Sequence, residues 1–347
     1  MNSEWKTFLE GDGAVIEDGG VRHFGDSAQE LQAADRGTVL ADLSHQGLIK
    51  ISGADAATFL QSQLTNDVRE VSEQRSQLSA YCSPKGRMLA CFRLFMRDGA
   101  YYLRLPLEIV EPTMKRLRMF VLRAKVTLED ASDTLVRIGL AGPDAAKILN
   151  GAPETVDDAS DATGSTVIRV PGAQPRFEII GSANAIEEIW TRLRPHATPV
   201  GASAWDLLDI RAGIPTVYAA TADAFVPQMT NLDTLGGVSF TKGCYPGQEI
   251  VARVHYLGTI KRRMYLVHSA TDAAPRPGDA VHAAGNTGKQ NVGTIVSAQP
   301  SPAGGFEALA VIEVNAIEDG GARLRTASGM PLTALDLPRI STVNPIP

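Results

Sequence analysis

The residue types best suited to chemistry are concentrated in one segment, positions 225–263. At its centre stands the run Lys242-Gly243-Cys244-Tyr245-Pro246-Gly247-Gln248-Glu249. Gly243 and Gly247 permit backbone angles that other residues avoid, so this run is predicted to turn and then to begin a helix over Glu249–Val254. A thiol near Lys242 and a helix N-terminus is predicted to have a lowered pKa and more thiolate character.

The cysteines form no recognisable metal or disulfide pattern. There are three, Cys82, Cys91 and Cys244, at irregular spacing and without a C-x-x-C pair, so neither a disulfide framework nor a metal site is predicted. Cys82 and Cys91 lie in strand-like apolar runs and are predicted to pack in a core. For Cys244 a second interpretation stays open, that of a small buried side chain in a tight turn.

Positive charge is concentrated beside the same run. Residues 242–263 contain one acid, Glu249, and five basic residues, namely Lys242, Arg253, Lys261, Arg262 and Arg263. In a chain of net charge -6, this bias predicts a local positive patch that attracts an anionic ligand. The overall acidity and the lack of an aromatic–basic ribonucleoprotein motif disfavour direct nucleic-acid binding.

The elements that must position these residues begin after a polar stretch, residues 1–37, which is predicted to be a loose lead-in. Strands are then predicted at Thr38–Leu43, Gly47–Ile51, Gln77–Cys82, Met88–Met96 and Ala100–Leu105, with helices at Ala54–Leu64 and Glu108–Leu122. The strands at Gln77–Cys82 and Met88–Met96 are joined by Ser83-Pro84-Lys85-Gly86, which has the residue types of a turn.

A second pattern begins near Lys125. It comprises strands at Leu135–Ala141, Val167–Val170 and Phe177–Ile180, a helix after Pro143-Asp144 and a helix at Asn184–Leu193, with 150–164 as a long solvated loop. This order predicts a ferredoxin-like unit. Beyond Arg262, short strands at Met264–His268, Ala280–Ala283, Val292–Ala298, Ala308–Val314 and Ala322–Thr326 predict a small barrel or sandwich.

Composition is consistent with a folded protein of two or three domains. The chain has 347 residues, of which 44% are hydrophobic and 21% charged. It contains neither an apolar run long enough to span a bilayer nor a basic, apolar leader. We therefore expect a soluble, cytoplasmic protein with no membrane contact.

The run Lys242–Glu249, followed by Val251-Ala252-Arg253, resembles the signature of the YgfZ family of folate-binding proteins, which are relatives of the glycine cleavage system T-protein. Further matching stretches are Asp42-Leu43-Ser44-His45, Leu64-Thr65-Asn66-Asp67, Pro84-Lys85-Gly86-Arg87-Met88, Arg211-Ala212-Gly213-Ile214-Pro215 and Asn231-Leu232-Asp233. The resemblance covers most of the chain from residue 38 to residue 315.

This resemblance implies an α+β fold with a three-domain, T-protein-like architecture, in which a ferredoxin-like domain and a small C-terminal β-barrel surround a central cavity. The corresponding division is an N-terminal T-protein-like α+β domain at 1–124, the ferredoxin-like domain at 125–200, the signature segment completing the folate cavity at 201–260 and the barrel at 261–347. The resemblance also implies tetrahydrofolate, or a derivative, as cofactor. It implies a role in assembly or repair of iron–sulfur enzymes, including radical enzymes that modify tRNA, with iron–sulfur client or assembly proteins as partners.

The chain departs from T-proteins at their catalytic acids. Their acidic pair follows a Gly-Gly-Ile-Leu stretch, and matching through Gly86-Arg87-Met88-Leu89 places it on Ala90 and Cys91, neither of which is a carboxylate base. An accessory factor is therefore favoured over an aminomethyltransferase. A folate-dependent one-carbon transferase and a tRNA-binding module remain as alternatives.

Site residues follow from the same resemblance. The predicted catalytic residues are Cys244 and Lys242, and the predicted supporting residues of the signature are Gly243, Tyr245, Gly247, Gln248, Glu249 and Arg253. The predicted cofactor-binding residues are Trp205, Arg211, Gln46 and Asn231. Trp205 is predicted either to stack on the pterin or to be a core aromatic, and Arg211 replaces a glutamate that T-proteins present to the pterin. His45 lines the cavity or is a core histidine, and Asn231 and Asp233 bind ligand or cap turns.

Overall fold

Residues 1–162, 164–285 and 291–337 are described by the computed structural model, in which the chain divides into two units. The first unit consists of Met1–Gln61, Val68–Gln77 and Phe92–Leu208. The second consists of Ser62–Asp67, Leu78–Cys91 and the chain from Asp209 onward. Two short segments of the N-terminal half therefore belong to the unit that contains the signature run.

The helices and strands are as follows. The α-helices are α1 Ser3–Gly11, α2 Ser27–Arg36, α3 Ala56–Gln61, α4 Val110–Arg118, α5 Ala145–Leu149, α6 Ala183–Leu193, α7 Ala202–Arg211, α8 Gln248–Leu257 and α9 Val314–Glu318. The strands are β1 Val15–Glu17, β2 Gly20–His23, β3 Val39–Asp42, β4 Gln46–Ser52, β5 Gln77–Cys82, β6 Met88–Arg97, β7 Ala100–Pro106, β8 Thr127–Asp130, β9 Val136–Ala141, β10 Ala159–Ala162, β11 Ser165–Val170, β12 Arg176–Gly181, β13 Thr198–Val200, β14 Arg262–Ser269, β15 Ala280–Ala283, β16 Asn291–Pro300, β17 Phe306–Glu313, β18 Ala322–Leu324 and β19 Thr333–Leu335. Within the described residues, no helix is long and apolar enough to cross a membrane.

The first 37 residues are ordered structure, so the prediction of a loose lead-in is wrong. They form α1, the β1–β2 hairpin and α2. The Asn2 side chain caps α1 by accepting a hydrogen bond from the Trp5 backbone N–H. The buried Trp5 indole donates to Asp42 on β3 at 2.8 Å and packs edge-on against Trp190 of α6. Residues 1–37 are mostly polar, so the sequence did not indicate that a few buried apolar side chains hold them in regular structure.

The ferredoxin-like prediction is confirmed in the first unit. The sheet order is β10-β11-β12-β9-β3-β13, with antiparallel pairing from β10 through β3 and a parallel β13 at the edge. Helices α5 and α6 follow β9 and β12, in the order that the sequence predicted. The predicted loop at 150–164 is corrected, because Ala159–Ala162 forms β10 and pairs with β11.

Strands β4, β7 and β8 belong wholly to the first unit, where β4 pairs with both β7 and β8. The hairpin between β5 and β6 lies in the second unit as part of Leu78–Cys91. It turns where the sequence predicted, with the Ser83 N–H donating to the Arg87 carbonyl at 2.8 Å.

The C-terminal prediction is also confirmed. A six-stranded sheet of order β18-β15-β16-β17-β14-β19, antiparallel throughout, curls as a half-barrel in the second unit. All five predicted strands are present, and their inward side chains include Val281, Ile295 and Ile312. Strand β19 was not predicted, since its three residues are all exposed and show no apolar alternation.

Candidate functional site

Lys242 clamps the signature run to a distant part of the second unit. Its ammonium Nζ donates to the backbone carbonyls of Leu64 at 2.7 Å and Asn66 at 2.8 Å. The same ammonium lies 5.5 Å from the ring centroid of Tyr245. Only 5% of Lys242 is exposed. These contacts offset the cost of burying a charge, which would otherwise be large.

The segment that receives Lys242 is itself fixed by side-chain hydrogen bonds. Thr65 Oγ1 donates to the Gly237 carbonyl at 2.8 Å. Asn66 Nδ2 donates to the carbonyls of Gly236 at 2.7 Å and Leu78 at 3.0 Å. Two stretches far apart in sequence, Leu64–Asp67 and the signature run, therefore form one hydrogen-bonded layer.

The β5–β6 turn packs against the beginning of α8. Gly247, which precedes α8, has a φ of 80°, and a Cβ there would lie 2.5 Å from the Ser83 carbonyl oxygen and 2.6 Å from the Gly86 Cα. Gly86 has a φ of 69° and faces Ile250 of α8. Only glycine fits at Gly247, both for its backbone angle and for its space. The predicted helix after the signature turn is confirmed as α8.

Cys244 follows Lys242 by two residues in the signature run, and its side chain is exposed. A Cβ at Gly243 would meet nothing within 4 Å, so the residue that precedes Cys244 borders open space. Tyr245 is buried, and burial together with the nearby Cys82 raises its pKa. The alternative interpretation of Cys244 as a buried side chain is therefore wrong. The lowered pKa predicted for its thiol stays a prediction.

The other two cysteines are buried, as predicted. Burial raises the pKa of Cys82, and the neighbouring Cys91 and Asp223 raise it further. Its thiol stays protonated at neutral pH, which makes it a poor nucleophile. Among the three thiols, Cys244 is the one that a partner can reach.

The support residues lie on α8 or lead into it. Glu249 is in the first turn of α8, where a carboxylate is favourable, and Arg253 stands four residues further along; both are exposed. Gln248 begins the helix, and its backbone N–H donates to the Tyr245 carbonyl at 3.2 Å.

An aromatic cluster at the end of α8 was not predicted from the sequence. Phe240 stacks on His255 with ring centroids 3.7 Å apart, and Tyr256 meets both rings edge-on. The aromatic character of His255-Tyr256, immediately after the signature, was the available signal. The structural role of Lys242 was also missed, because nothing in its local sequence indicates the carbonyls that it binds.

Two predicted cofactor-binding residues lie in the first unit. Trp205 is fully buried, with the Arg176 guanidinium 4.5 Å from its ring centroid, and a Cβ at Gly139 would overlap its ring. The Trp205 indole Nε1 and the Gln46 amide Oε1 are both buried, and neither has a hydrogen-bond partner among the described residues. A buried donor and a buried acceptor without partners are costly unless a ligand or water completes them. Trp205 is a member of the buried hydrophobic core of the first unit, and contact of either atom with a pterin stays a prediction.

The other two lie in the second unit and have protein partners. Arg211 forms a two-pronged ion pair with Glu307, with N–O distances of 2.7 and 2.7 Å. Burial alone would raise the pKa of Glu307, but the Arg211 and Ser301 hydrogen bonds outweigh burial and hold that pKa below its usual value. Asn231 has a φ of 59° and donates to the Met264 carbonyl at 2.8 Å. Contact between these two residues and a folate stays a prediction.

The remaining candidates have partners too. His45 Nε2 lies 3.0 Å from Asp206 Oδ1 in the first unit, and Asp233 accepts from Arg263 at 3.1 Å in the second. Ala90 and Cys91 are both buried on β6, in the positions matched to the T-protein acids.

Comparison with known proteins identifies the family. A model of the GCVT N-terminal domain matches residues 16–169. A protein of Colwellia psychrerythraea strain 34H named tRNA-modifying protein YgfZ is 35% identical over 70% of this chain and 76% of its own length. A protein of the same name from Edwardsiella ictaluri is 31% identical over 84% of this chain and 89% of its own length. The chain belongs to the YgfZ family.

A solved structure supports the fold of this YgfZ-family chain. The glycine cleavage system aminomethyltransferase T from Bartonella henselae superposes with a TM-score of 0.74 and 17% identity, covering 98% of both chains. The chain therefore has a T-protein-like fold, as its signature predicted.

Proposed function

We propose that this YgfZ-family chain is a tetrahydrofolate-binding accessory protein of the cytoplasm that supports the assembly or repair of iron–sulfur enzymes, including radical enzymes that modify tRNA. Its named relatives are tRNA-modifying proteins, which supports the last part of the proposal. The observation that carries the proposal is the exposed Cys244 thiol on a base of buried hydrogen bonds. Its partners are a folate and iron–sulfur client or assembly proteins.

The thiol acts on a partner rather than as a complete metal site. Clusters take about four thiolates, so Cys244 alone does not hold one. Cys244 supplies one thiolate ligand, and a client, a second copy or a small thiol supplies the others. Lys242 and Tyr245 hold the loop in shape, and Gly243 keeps the thiol uncrowded. Glu249 and Arg253 on α8 present charges beside the loop for recognition of the partner.

Tetrahydrofolate is held through buried polar atoms of the first unit. The Trp205 Nε1 donates to a pterin acceptor and the Gln46 Oε1 accepts from a pterin donor, which completes both atoms. When bound, the cofactor supplies a carrier for one-carbon units.

Aminomethyl transfer is the disfavoured alternative. Ala90 and Cys91 provide no carboxylate at the positions matched to the T-protein acids. We expect no folate-dependent release of ammonia from an aminomethyl-lipoyl carrier protein above the uncatalysed rate. Turnover in that assay would support the transferase instead.

The decisive experiment is rescue of iron–sulfur enzyme activity in a deletion strain. Cys244→Ser keeps nearly the same side-chain volume at an exposed position, so its free energy of unfolding should lie within about 0.5 kcal/mol of wild type. The same variant should fail to rescue the iron–sulfur enzyme activity. Cys82→Ser and Cys91→Ser are the matched controls, which should rescue wherever they fold. Full rescue by a stable Cys244→Ser would contradict the proposal.

A further inference from the structure

A second candidate surface lies in the first unit, at the end of α4. We call it the basic turn, residues 115–125, formed by the end of α4 and the turn that follows. Its basic residues are Lys115, Arg116, Arg118, Arg123 and Lys125, all of which are exposed. Arg118 donates to the Leu128 carbonyl at 3.0 Å, while the side chains of the other four have no ion-pair or hydrogen-bond partner among the described residues. Four cations are thus uncompensated within eleven residues.

Large apolar side chains project from the same turn. Met119, Phe120 and Leu122 are 59%, 46% and 87% exposed. The opposite face of α4 is buried through Val110, Thr113, Met114 and Leu117, so the helix is anchored and the turn is its outer end.

The backbone of the turn is hydrogen-bonded and strained. The Phe120 N–H donates to the Leu117 carbonyl at 3.0 Å and the Ala124 N–H to the Val121 carbonyl at 2.8 Å. Leu122 has a φ of 49°, in the left-handed region that bulky residues rarely adopt. Because its side chain is almost fully exposed, no burial within the chain offsets this strain. Strain of this kind is typical of functional positions.

We propose that the basic turn binds single-stranded RNA, with its cations on the phosphates and the Phe120 ring against an unstacked base. The dipole of α4 explains cations in its last turn, but it explains neither Arg123 and Lys125 nor the exposed Phe120. Residues 115–125 contain no acid, so the partner must supply the negative charge, which a nucleic-acid backbone carries at every nucleotide. RNA phosphates remain hydrated, and every base offers an apolar face to an aromatic side chain.

A net charge of -6 disfavours nucleic-acid binding by the chain as a whole, whereas the basic turn is a local positive surface. The site does not use Cys244 or a folate. Its failure would leave rescue by the thiol unaffected, so the two proposals are tested separately.

The test is fluorescence anisotropy of the full chain with a labelled RNA hairpin that has an unpaired loop, measured over a range of salt concentrations. Phe120→Ala should weaken binding by about fivefold to a hundredfold, the effect of losing one base stack. Phe120→Leu should weaken it similarly, because leucine has no ring face, while Phe120→Trp should retain it. The double variant Arg116→Gln/Arg123→Gln should lower the slope of log K against log salt by about 1.4, at about 0.7 per lost phosphate contact.

Control measurements separate this site from other anion-binding surfaces. Arg36→Gln removes an exposed cation outside the basic turn and should leave binding unchanged. Each variant is also melted, and all should match wild type because the substituted side chains are exposed. The proposal is overturned by no RNA binding, by equal binding to a blunt duplex, or by binding to phosphatidylserine vesicles in place of RNA. Undiminished binding by Phe120→Leu would also overturn it, since that result indicates apolar docking without stacking.

Discussion

Replacing Lys242 with methionine tests whether its ammonium holds the signature run in place. Methionine keeps most of the length of the side chain but removes two charged hydrogen bonds, to Leu64 and Asn66, and the contact with Tyr245. Charged hydrogen bonds contribute about 1.5–3 kcal/mol each. The ammonium no longer has to be desolvated, which returns part of that loss. We expect a net loss of about 2–4 kcal/mol in the free energy of unfolding, from two such bonds less the desolvation that is recovered.

Urea unfolding followed by circular dichroism measures this change. Lys85→Met, on the exposed part of the β5–β6 turn, is the matched control and should change stability by less than about 0.5 kcal/mol. The rate of Cys244 alkylation with iodoacetamide across pH is measured on the same samples. An unfolding midpoint of Lys242→Met equal to that of wild type would refute the clamp, and would leave Lys242 to act on the thiol chemically.

Three further predictions follow from the contacts described. Gly247→Ala should lower the free energy of unfolding by at least about 1–2 kcal/mol, because the added Cβ meets the Ser83 carbonyl and the backbone has a φ of 80°. Gly243→Ala, whose added Cβ meets open space, is the control and should be nearly neutral. Chemical denaturation compares the two variants, and equal stabilities would contradict the packing at Gly247. Trp205→Phe should weaken tetrahydrofolate binding about twofold to tenfold in calorimetry through loss of the Nε1 donor, and an unchanged affinity would remove that atom from the site. The pKa of Glu307 is lower in the folded state, so its contribution to stability is present above the ordinary value of 4.5 and is lost as the pH falls through the folded pKa. Glutamine does not titrate, so Glu307→Gln should not show this loss of stability as the pH falls, which is measured as melting temperature against pH. A variant whose melting temperature falls with pH as steeply as that of wild type would contradict the ion pair with Arg211.

The sequence predicted elements wherever local pattern determines structure. The strands at Gln77–Cys82 and Ala280–Ala283 begin and end where predicted, because alternation and turn residues bound them closely. It failed for α1, a short helix anchored by buried Trp5 and Leu9 and by the hydrogen bond from Trp5 to Asp42. It failed again for β10, which is specified by its partner β11 rather than by its own polar residues.

The candidate site was predictable in part for the same reason. The run Lys242–Glu249 indicated a turn, a helix and a thiol, and each of these is present. The partners of Lys242 lie in another stretch of the chain, and no local pattern pairs an ammonium with two backbone carbonyls. The bidentate pairing of Arg211 with Glu307 is likewise a long-range contact, which no local pattern indicates.

The Lys242 clamp also constrains how the chain is made. Lys242 follows Leu64 by 178 residues, so the Leu64–Asp67 segment emerges from the ribosome long before its partner exists. At about 5–20 residues per second, that interval is about 9–36 s. During this interval Thr65 and Asn66 also lack their hydrogen-bond acceptors, the carbonyls of Gly237 and Gly236, which are synthesised only shortly before Lys242. The second unit therefore reaches its native contacts late in translation, because Leu64–Asp67 has no Lys242 to bind until most of the chain has been made.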